Sequence, residues 1–271
     1  MDDRIKSVPT HLGDSSLLAE FAQYYALAPS AVLVRTAEAE LIRALPIRPP
    51  ALDLCCGDGL FAFLVHGPGF EAGVDMNDSA LRLAAIRGIY GTLACADVAR
   101  GIPFAGRYFN TVVSNSSLEH VEGIDDSLAE IARVLKPGGR LYATFPSHFA
   151  YQWWPCGRHA LDRYLAYQPV HNLFPVQEWK SRMDRVGLRF VGHQYYLSKS
   201  ATRVLLFLDY HISHVYMTAD STVARAFVRS MQRIRAEVMA RLWASLFARV
   251  KILAQGHGGG ILIIAERVCI P

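Results

Sequence analysis

The 271-residue sequence predicts an α/β protein with a doubly wound sheet of seven strands. Short apolar runs alternate with helical segments from Ala51 to Phe145, which is typical of parallel strands with helices on both faces. A glycine-containing turn joins the first of these strands to its helix. A long helical stretch separates the last two predicted strands. Together these observations predict a Rossmann-like core with a helical cap before it and a helical insertion ahead of its last strand.

The predicted elements fall into four regions. Residues 1–50 form an N-terminal helical cap of two helices that are split at Pro29, with N-caps at Asp14 and Ser30. Residues 51–197 form the core, residues 198–257 the helical insertion, and residues 258–271 the final, antiparallel strand. The core strands are predicted at 51–54, 70–75, 92–95, 110–115, 140–145 and 188–197, and the final strand at 259–268. Core helices are predicted from Leu60 and over about 77–87, 125–135 and 176–186.

The glycine turn carries the strongest functional signal. LDLCCGDG occupies residues 52–59, where Gly57 and Gly59 let the backbone approach a ligand closely. Open α/β sheets bind ligands at the carboxyl ends of their strands. Asp75 ends the second strand, where a carboxylate accepts hydrogen bonds from ribose hydroxyls, and Asp97 follows the third, where it can accept from an adenine amine. This order predicts a mononucleoside pocket.

Several other classes fit the sequence poorly. A dinucleotide enzyme would carry the third glycine of a GxGxxG turn, but Phe61 and Ala62 occupy that region, and the GK[ST] of a phosphate-binding loop is absent. Five cysteines without a CxxC pair predict no metal site and reduced thiols. A net charge of +4 does not indicate a nucleic-acid partner. The sequence shows neither a leader pattern nor an 18-residue apolar run, which predicts a cytoplasmic protein.

Four segments resemble the class I S-adenosylmethionine-dependent methyltransferases, within their small-molecule, methyltransferase-11-like subgroup. They are LDLCCGDG, AGVDMNDSAL, ACADVARGIPFAGRYFNTVVSNSSLEHV and EIARVLKPGGRLYATFP, and they span about 51–146. The resemblance implies S-adenosyl-L-methionine as cofactor and S-adenosyl-L-homocysteine as product. Two positions depart from the family pattern, since Cys55 stands where glycine is usual and Asn110 where aspartate is frequent.

The resemblance also implies a role for each cofactor residue. The methionine part is assigned to Asp53 and to the turn residues Cys55, Gly57 and Gly59. Asp75 is assigned to the ribose and Met76 to the adenine face. The adenine edge is assigned to Asp97 and the Val98 backbone, the methyl end to Asn115, and the shape of the pocket to His120.

Residues 146–174 are rich in aromatic residues and histidine and predict a substrate loop. A hydroxyl acceptor benefits from a general base, for which His148 and His171 are the candidates, ahead of His159. A carboxylate acceptor needs no base, and a carbon acceptor needs an activated neighbour. The resemblance places the stretch around His171 near the substrate mouth. The predicted substrate-binding residues are Tyr24, Tyr25, Phe149, Tyr151, Trp154 and Asn172.

The insertion carries an apolar stripe at helical spacing. Its members are Phe227, Met231, Ile234, Val238, Leu242, Leu246 and Val250. Over 221–252, several basic side chains are opposed only by Glu237. Three roles fit this pattern: a lid packed on the domain, which we favour, a contact with an anionic membrane, or a dimer surface.

The predicted function is S-adenosylmethionine-dependent methylation of a small apolar or aromatic metabolite in a biosynthetic pathway. Oxygen is favoured as the acceptor atom on general frequency alone. The predicted partner is the small-molecule acceptor, with no nucleic acid, and the chain is expected to be a monomer or homodimer. Alternatives are non-methylating chemistry such as cyclisation, methylation of RNA or protein, and cofactor binding without turnover. RNA methylation would show a steep salt dependence of binding.

Overall fold

The computed structural model describes residues 5, 7–213 and 236–268. Its sheet has seven strands in the order β3-β2-β1-β4-β5-β7-β6. The strands are β1 (Ala51–Leu54), β2 (Phe70–Asp75), β3 (Tyr90–Cys95), β4 (Phe109–Asn115), β5 (Leu135–Pro146), β6 (Leu188–Tyr196) and β7 (Gly260–Arg267). Strands β1 to β5 pair in parallel, and β7 runs antiparallel to both β5 and β6. The predicted fold class is confirmed.

The helices cover both faces of this sheet. They are α1 (Leu17–Tyr24), α2 (Pro29–Arg43), α3 (Leu60–Val65), α4 (Asp78–Arg87), α5 (Ile124–Val134), α6 (Arg158–Tyr167), α7 (Val176–Arg185), α8 (Lys199–Leu208) and α9 (Ala236–Phe247). Strand side chains alternate between two apolar layers. One layer joins Val113, Tyr142 and Leu262 to α1, α2, α3 and α9. The other joins Val112, Leu141 and Ile263 to α5 and α7.

The strand order reverses at β1, which pairs with β2 on one side and β4 on the other. At such a switch point the connections leave in opposite directions and open a crevice beyond the carboxyl ends of the strands. The turn after Leu54, the end of β2 at Asp75 and the end of β4 at Asn115 therefore meet at one edge of the sheet.

The predicted helix N-caps are wrong. Asp14 ends a short 3-10 turn, and Ser16 precedes α1. The N-cap of α2 is Ala28, because Pro29 takes the first helical position, where its fixed φ and missing N–H cost nothing. Ser30 is thereby free to turn its hydroxyl toward Asp209.

Two further boundaries differ from the prediction. Strand β5 begins at Leu135 and not at the predicted Arg140, because Leu135 pairs with Phe109 before a shift in register. The substrate loop contains the helix α6, whose buried positions are Ala160 and Tyr164. Aromatic and charged residues in this stretch mask its helical period.

In the described residues 198–213 and 236–257, the insertion contains α8, a π-helical turn at Asp209–Ser213, and α9. Helix α9 packs on the cap through Met239, Trp243 and Phe247, which are buried. The Trp243 Nε1 donates to the Ala26 carbonyl at 2.8 Å. This contact fixes which face of α9 meets the domain.

The face of α9 predicted to pack is not the one that does. Phe227, Met231 and Ile234 lie outside the described residues. Val238, Leu242 and Leu246 are 55%, 45% and 58% exposed, so the expectation that they pack on the domain is wrong for these three. Instead, Met239, Trp243 and Phe247 turn inward, where this helix contacts α1. Membrane contact and dimerisation through 221–252 stay predictions. Each described helix is too short or too polar to cross a bilayer.

Candidate active site

The turn after β1 is built from left-handed backbone. Cys55, Gly57 and Gly59 have φ angles of 58°, 55° and 73°. A Cβ added at Gly57 would meet nothing within 4 Å, whereas one at Gly59 would lie 3.0 Å from Tyr90 Cε2. Gly59 therefore lets the turn pack on β3, and Gly57 borders an open groove where a ligand can approach the backbone.

The carboxylate of Asp75 ties the end of β2 to this turn. Its Oδ2 accepts from the Gly57 amide at 2.8 Å and its Oδ1 from the Asn77 amide at 2.9 Å. An ionised carboxylate offers about four acceptor sites, so two remain for a ligand. Met76, next in sequence, is 73% exposed at the same edge. This arrangement fits the predicted ribose and adenine contacts.

Asp97 and Val98 follow β3 along the same edge of the sheet. The Asp97 Oδ1 accepts from the Ala99 amide at 3.0 Å, and its Oδ2 lies 3.2 Å from Arg100 Nε. Val98 is buried in the apolar layer below. The Asp97 carboxylate is thereby fixed beside the end of the strand, as an adenine contact requires.

We expect Asp75→Ala to weaken S-adenosylmethionine binding by about 1–3 kcal/mol, because ribose hydroxyls lose their acceptor. Isothermal calorimetry gives the dissociation constant. Asp78→Asn is the matched control, since Asp78 is exposed and pairs with Arg82 on α4. Equal affinity of the Asp75 and Asp78 variants would contradict the ribose assignment.

Asp53 lies beneath the turn. It is buried and accepts from the Tyr90 hydroxyl at 2.5 Å. Burial raises the pKa of Asp53 to about 7, against which the Tyr90 hydrogen bond acts only in part. Asp53 therefore supports the turn from below, and its predicted contact with the methionine part of the cofactor stays a prediction.

The shifted pKa of Asp53 predicts a pH dependence of stability. Between about pH 4 and 7 the folded state retains a proton that the unfolded state releases, so stability falls as pH rises. We expect Asp53→Asn to remove up to about 1.4 kcal/mol per pH unit from this slope. Urea unfolding at several pH values measures it, with the exposed Asp162→Asn as control. If stability depended on pH in Asp53→Asn as it does in the wild-type chain, the raised pKa of Asp53 would be contradicted.

A polar cluster sits beyond the end of β4. The Glu38 carboxylate on α2 has no exposed surface, and its two oxygens accept from four groups. The donors are Arg35 Nη1 at 3.0 Å, Asn115 Nδ2 at 2.8 Å, Ser116 Oγ at 2.6 Å and the Tyr196 hydroxyl at 2.7 Å. Asn115 also accepts from Arg35 at 2.5 Å. Fully satisfied networks of this kind are rigid, so Asn115 is fixed where the methyl end of the cofactor was predicted.

A cavity of about 220 Å³ lies beside this cluster, between α2, α6, α8 and the ends of β4 and β5. Its walls are partly aromatic and partly polar. They include Ser30, Arg35, Glu38, Ser116, Glu119, His120, Tyr151, Tyr164, Tyr196 and Asp209. Pockets of this type, apolar with a few convergent polar groups, suit small molecules.

Glu119 is the unusual residue of the cavity wall. Its side chain is buried, and its Oε2 has no hydrogen-bond partner among the described residues. Burial raises the pKa of Glu119 to about 8, with repulsion from Glu38 adding to it and attraction by Arg35 opposing it. A buried carboxyl oxygen without a hydrogen-bond partner is costly unless a ligand uses it. Glu119 can therefore exchange a proton near neutral pH with a molecule in the cavity.

The stretch predicted to lie near the substrate mouth holds Glu119 in place. The Glu119 carbonyl accepts from the amides of His171 at 2.8 Å and Asn172 at 3.1 Å. The Asn172 side chain donates to the carbonyls of Leu118 and Val121, both at 2.7 Å. Asn172, predicted to bind substrate, thus uses both amide hydrogens to fix the turn that carries Glu119.

The two predicted bases lie outside the described cavity wall. The His148 ring packs at a tilt against Phe149, and burial and the charge of His257 lower the pKa of His148. His171 is exposed, with its Nε2 3.8 Å from a Glu122 carboxylate oxygen. Their catalytic role stays a prediction.

The other predicted residues divide between the cavity and its surroundings. Tyr151 lines the cavity, as does His120, whose Nδ1 donates to the Pro169 carbonyl at 2.7 Å. Burial raises the pKa of Tyr25, which also interacts electrostatically with Arg35 and with Asp58 of the glycine turn. The remaining three lie elsewhere: Tyr24 is exposed, Phe149 stacks on Trp153, and Trp154 backs Tyr164.

Sequence reasoning missed several cavity residues, namely Arg35, Glu38, Glu119, Tyr164, Tyr196 and Asp209. Two of them carried a usable signal. Glu38 is an acidic residue on the buried face of an otherwise apolar helical pattern, and Asp209 interrupts the apolar run from Val204. A charge at such a position needs a partner.

Comparisons with known proteins define the class. A family model described as "Methyltransferase domain" matches residues 52–143. A SAM-dependent methyltransferase from Thermotoga maritima has the same fold, with a TM-score of 0.58, 15% identity and coverage of 93% of this chain and 98% of the other. Geranyl diphosphate C-methyltransferase from Streptomyces coelicolor A3(2), crystallised with S-adenosyl-L-homocysteine, has a TM-score of 0.54 and 18% identity, covering 86% and 77%. Residues 52–143 thus form a methyltransferase domain, which confirms the predicted resemblance to the class I S-adenosylmethionine-dependent methyltransferases.

The relatives that match in sequence carry more specific names. Ubiquinone/menaquinone biosynthesis C-methyltransferase UbiE of Bordetella avium is 38% identical over 122 residues, which is 41% of this chain and 47% of the relative. UbiE of Cereibacter sphaeroides is 35% identical over 145 residues, covering 50% and 53%. The chain thus spans about half the length of the curated relatives it matches. The predicted cofactor is confirmed for the class, and the open groove at Gly57 with the carboxylates of Asp75 and Asp97 fits it.

Proposed function

We propose that this chain transfers the methyl group of S-adenosylmethionine to a small acceptor held in the cavity beside Glu119. The observation that carries the proposal is the unpartnered Glu119 Oε2, buried in a cavity next to the cofactor edge of the sheet. Methyl transfer from a sulfonium is a direct displacement, so most of the enzyme's work is positioning. The rigid cluster around Glu38 supports such positioning.

Oxygen is the proposed methyl acceptor. When bound, S-adenosylmethionine supplies an electrophilic methyl group. The proton of an acceptor hydroxyl moves to Glu119 Oε2, whose pKa of about 8 suits a general base near neutral pH. The oxygen then has the electron pair that forms the new bond. The rings of Tyr151, Tyr164 and Tyr196 in the cavity wall favour an aromatic acceptor.

Carbon is the second candidate acceptor, because the UbiE relatives carry the name of C-methyltransferases in a biosynthetic pathway. The same carboxylate serves this reaction. Loss of the proton from a phenol raises the electron density of its ring carbons, and the ring proton displaced after methylation also needs an acceptor. Glu119 is placed to accept either proton. The cavity residues therefore favour an aromatic hydroxyl compound as the acceptor for both oxygen and carbon methylation.

Product analysis separates these candidates. Hydroxylated aromatic compounds are incubated with the chain and S-adenosylmethionine carrying a ¹³C methyl group, and the products are examined by NMR. A methoxy signal supports oxygen as the acceptor, and a ring-methyl signal supports carbon. Label found only in RNA or protein, or a cyclised product without label, would contradict the proposal.

A further inference from the structure

A second carboxylate lies in the cavity wall at the junction of α8 and the π-helical turn. Asp209 Oδ1 accepts from Ser30 Oγ at 2.7 Å, and Oδ2 accepts from the Tyr164 hydroxyl at 2.5 Å. Both donors are neutral. Within residues 5, 7–213 and 236–268, Asp209 forms no ion pair with a lysine, arginine or histidine. Its negative charge therefore faces the cavity uncompensated by the described residues.

Aromatic rings accompany this carboxylate. Tyr151 and Tyr164 both line the cavity, with ring centroids 6.0 Å apart, and Trp154 backs Tyr164 at 5.0 Å. Burial raises the pKa of Tyr151, and the charges of Glu119 and Asp209 raise it further. The Tyr151 hydroxyl therefore interacts electrostatically with both carboxyl groups. Tyr151, Glu119 and Asp209 line the same cavity.

The charges of the cavity wall do not cancel. Arg35 is the one arginine or lysine in the described wall, and it is engaged by Glu38 and Asn115. The Glu119 Oε1 lies 3.8 Å from His120 Nε2, whereas Asp209 has no cationic partner in this part of the chain. The unpartnered Glu119 Oε2 is independent of the Asp209 contacts, and it supports an occupant of the cavity that forms hydrogen bonds.

We propose that the methyl acceptor carries a protonated amine, which binds between the Asp209 carboxylate and the rings of Tyr151 and Tyr164. A carboxylate with aromatic faces is the usual protein environment for an ammonium group, combining an ion pair with cation–π attraction. A protonated nitrogen has no free electron pair, so this amine anchors the acceptor and the methyl group goes to another atom. The inference rests on the proposed function, because it names the substrate class of the same cavity.

Paired probes test the proposal. Tyramine is a phenol with an ammonium group, and 4-ethylphenol is its uncharged counterpart. Binding of each is measured by calorimetry with saturating S-adenosylhomocysteine, whose sulfur carries no charge. We expect tyramine to bind at least about tenfold more tightly than 4-ethylphenol. Asp209→Asn should abolish this preference and leave 4-ethylphenol binding within about twofold.

The controls separate charge from structure. Asp162→Asn removes an exposed carboxylate from α6 and should leave the tyramine preference intact. Ser30→Ala removes a hydrogen bond but keeps the Asp209 charge, and it should keep the preference as well. Equal binding of the two probes by the wild-type chain, or no binding of either, would overturn the inference even if Asp209→Asn fails to fold. Loss of S-adenosylhomocysteine binding in the wild-type chain would instead be a failure of the proposed function.

Discussion

Glu119→Gln should lower the rate of the methyl-transfer step about 10²–10⁴-fold, the usual contribution of a general base. Glutamine keeps the size of the side chain but cannot take a proton. S-adenosylhomocysteine affinity should stay within about twofold. Single-turnover kinetics with a working acceptor measures the step. Glu122→Gln is the matched control, because Glu122 lies three residues away and is exposed.

The pH dependence of the methyl-transfer rate provides a second test of Glu119→Gln. Glu119 must be ionised to act, so the wild-type rate should rise about tenfold per pH unit up to its pKa of about 8 and then level off. The rising limb should be absent in Glu119→Gln. Full turnover in Glu119→Gln, combined with loss in His148→Ala or His171→Ala, would show that one of the predicted histidines is the base instead.

Gly57→Val should abolish cofactor binding. Gly57 has a φ of 55°, which a β-branched residue adopts only with strain, and its Cβ would project into the open groove. The added side chain occupies the space that the cofactor needs. Calorimetric titration with S-adenosylmethionine measures the loss.

Gly67→Val is the control that separates strain from occlusion. Gly67 has a φ of 62°, and a Cβ there also meets nothing within 4 Å, but it lies in the loop after α3. We expect Gly67→Val to lose stability and keep cofactor affinity. If Gly57→Val bound S-adenosylmethionine with wild-type affinity, the turn would have only a structural role.

The cofactor edge could be predicted because its parts are local in sequence. Each predicted residue lies at or just beyond the carboxyl end of a strand, and parallel strands bring these ends to the same edge. The predicted strands are therefore sufficient to place Gly57, Asp75, Asp97 and Asn115 at one edge of the sheet. The alternation of apolar runs and helices predicted the strands themselves, but not their order in the sheet.

The cavity could not be predicted in this way. Arg35, Glu119, Tyr164 and Asp209 come from segments far apart in the chain, and no local period links them. Their meeting depends on how α2, α6 and α8 pack on the sheet. The prediction of which α9 face packs on the domain failed for the same reason. Leu242 and Trp243 are both apolar, and Trp243 turns inward, where its Nε1 donates to the carbonyl of the distant Ala26.

Acceptor-dependent release of S-adenosylhomocysteine is the most direct test of the central claim. The wild-type chain is incubated with S-adenosylmethionine, with and without a pool of hydroxylated aromatic amines, and S-adenosylhomocysteine is quantified by mass spectrometry. We expect release that requires the acceptor, is absent in Gly57→Val and is slowed about 10²–10⁴-fold in Glu119→Gln. Cofactor binding without acceptor-dependent release would contradict it, since the chain would then bind the cofactor without transferring its methyl group.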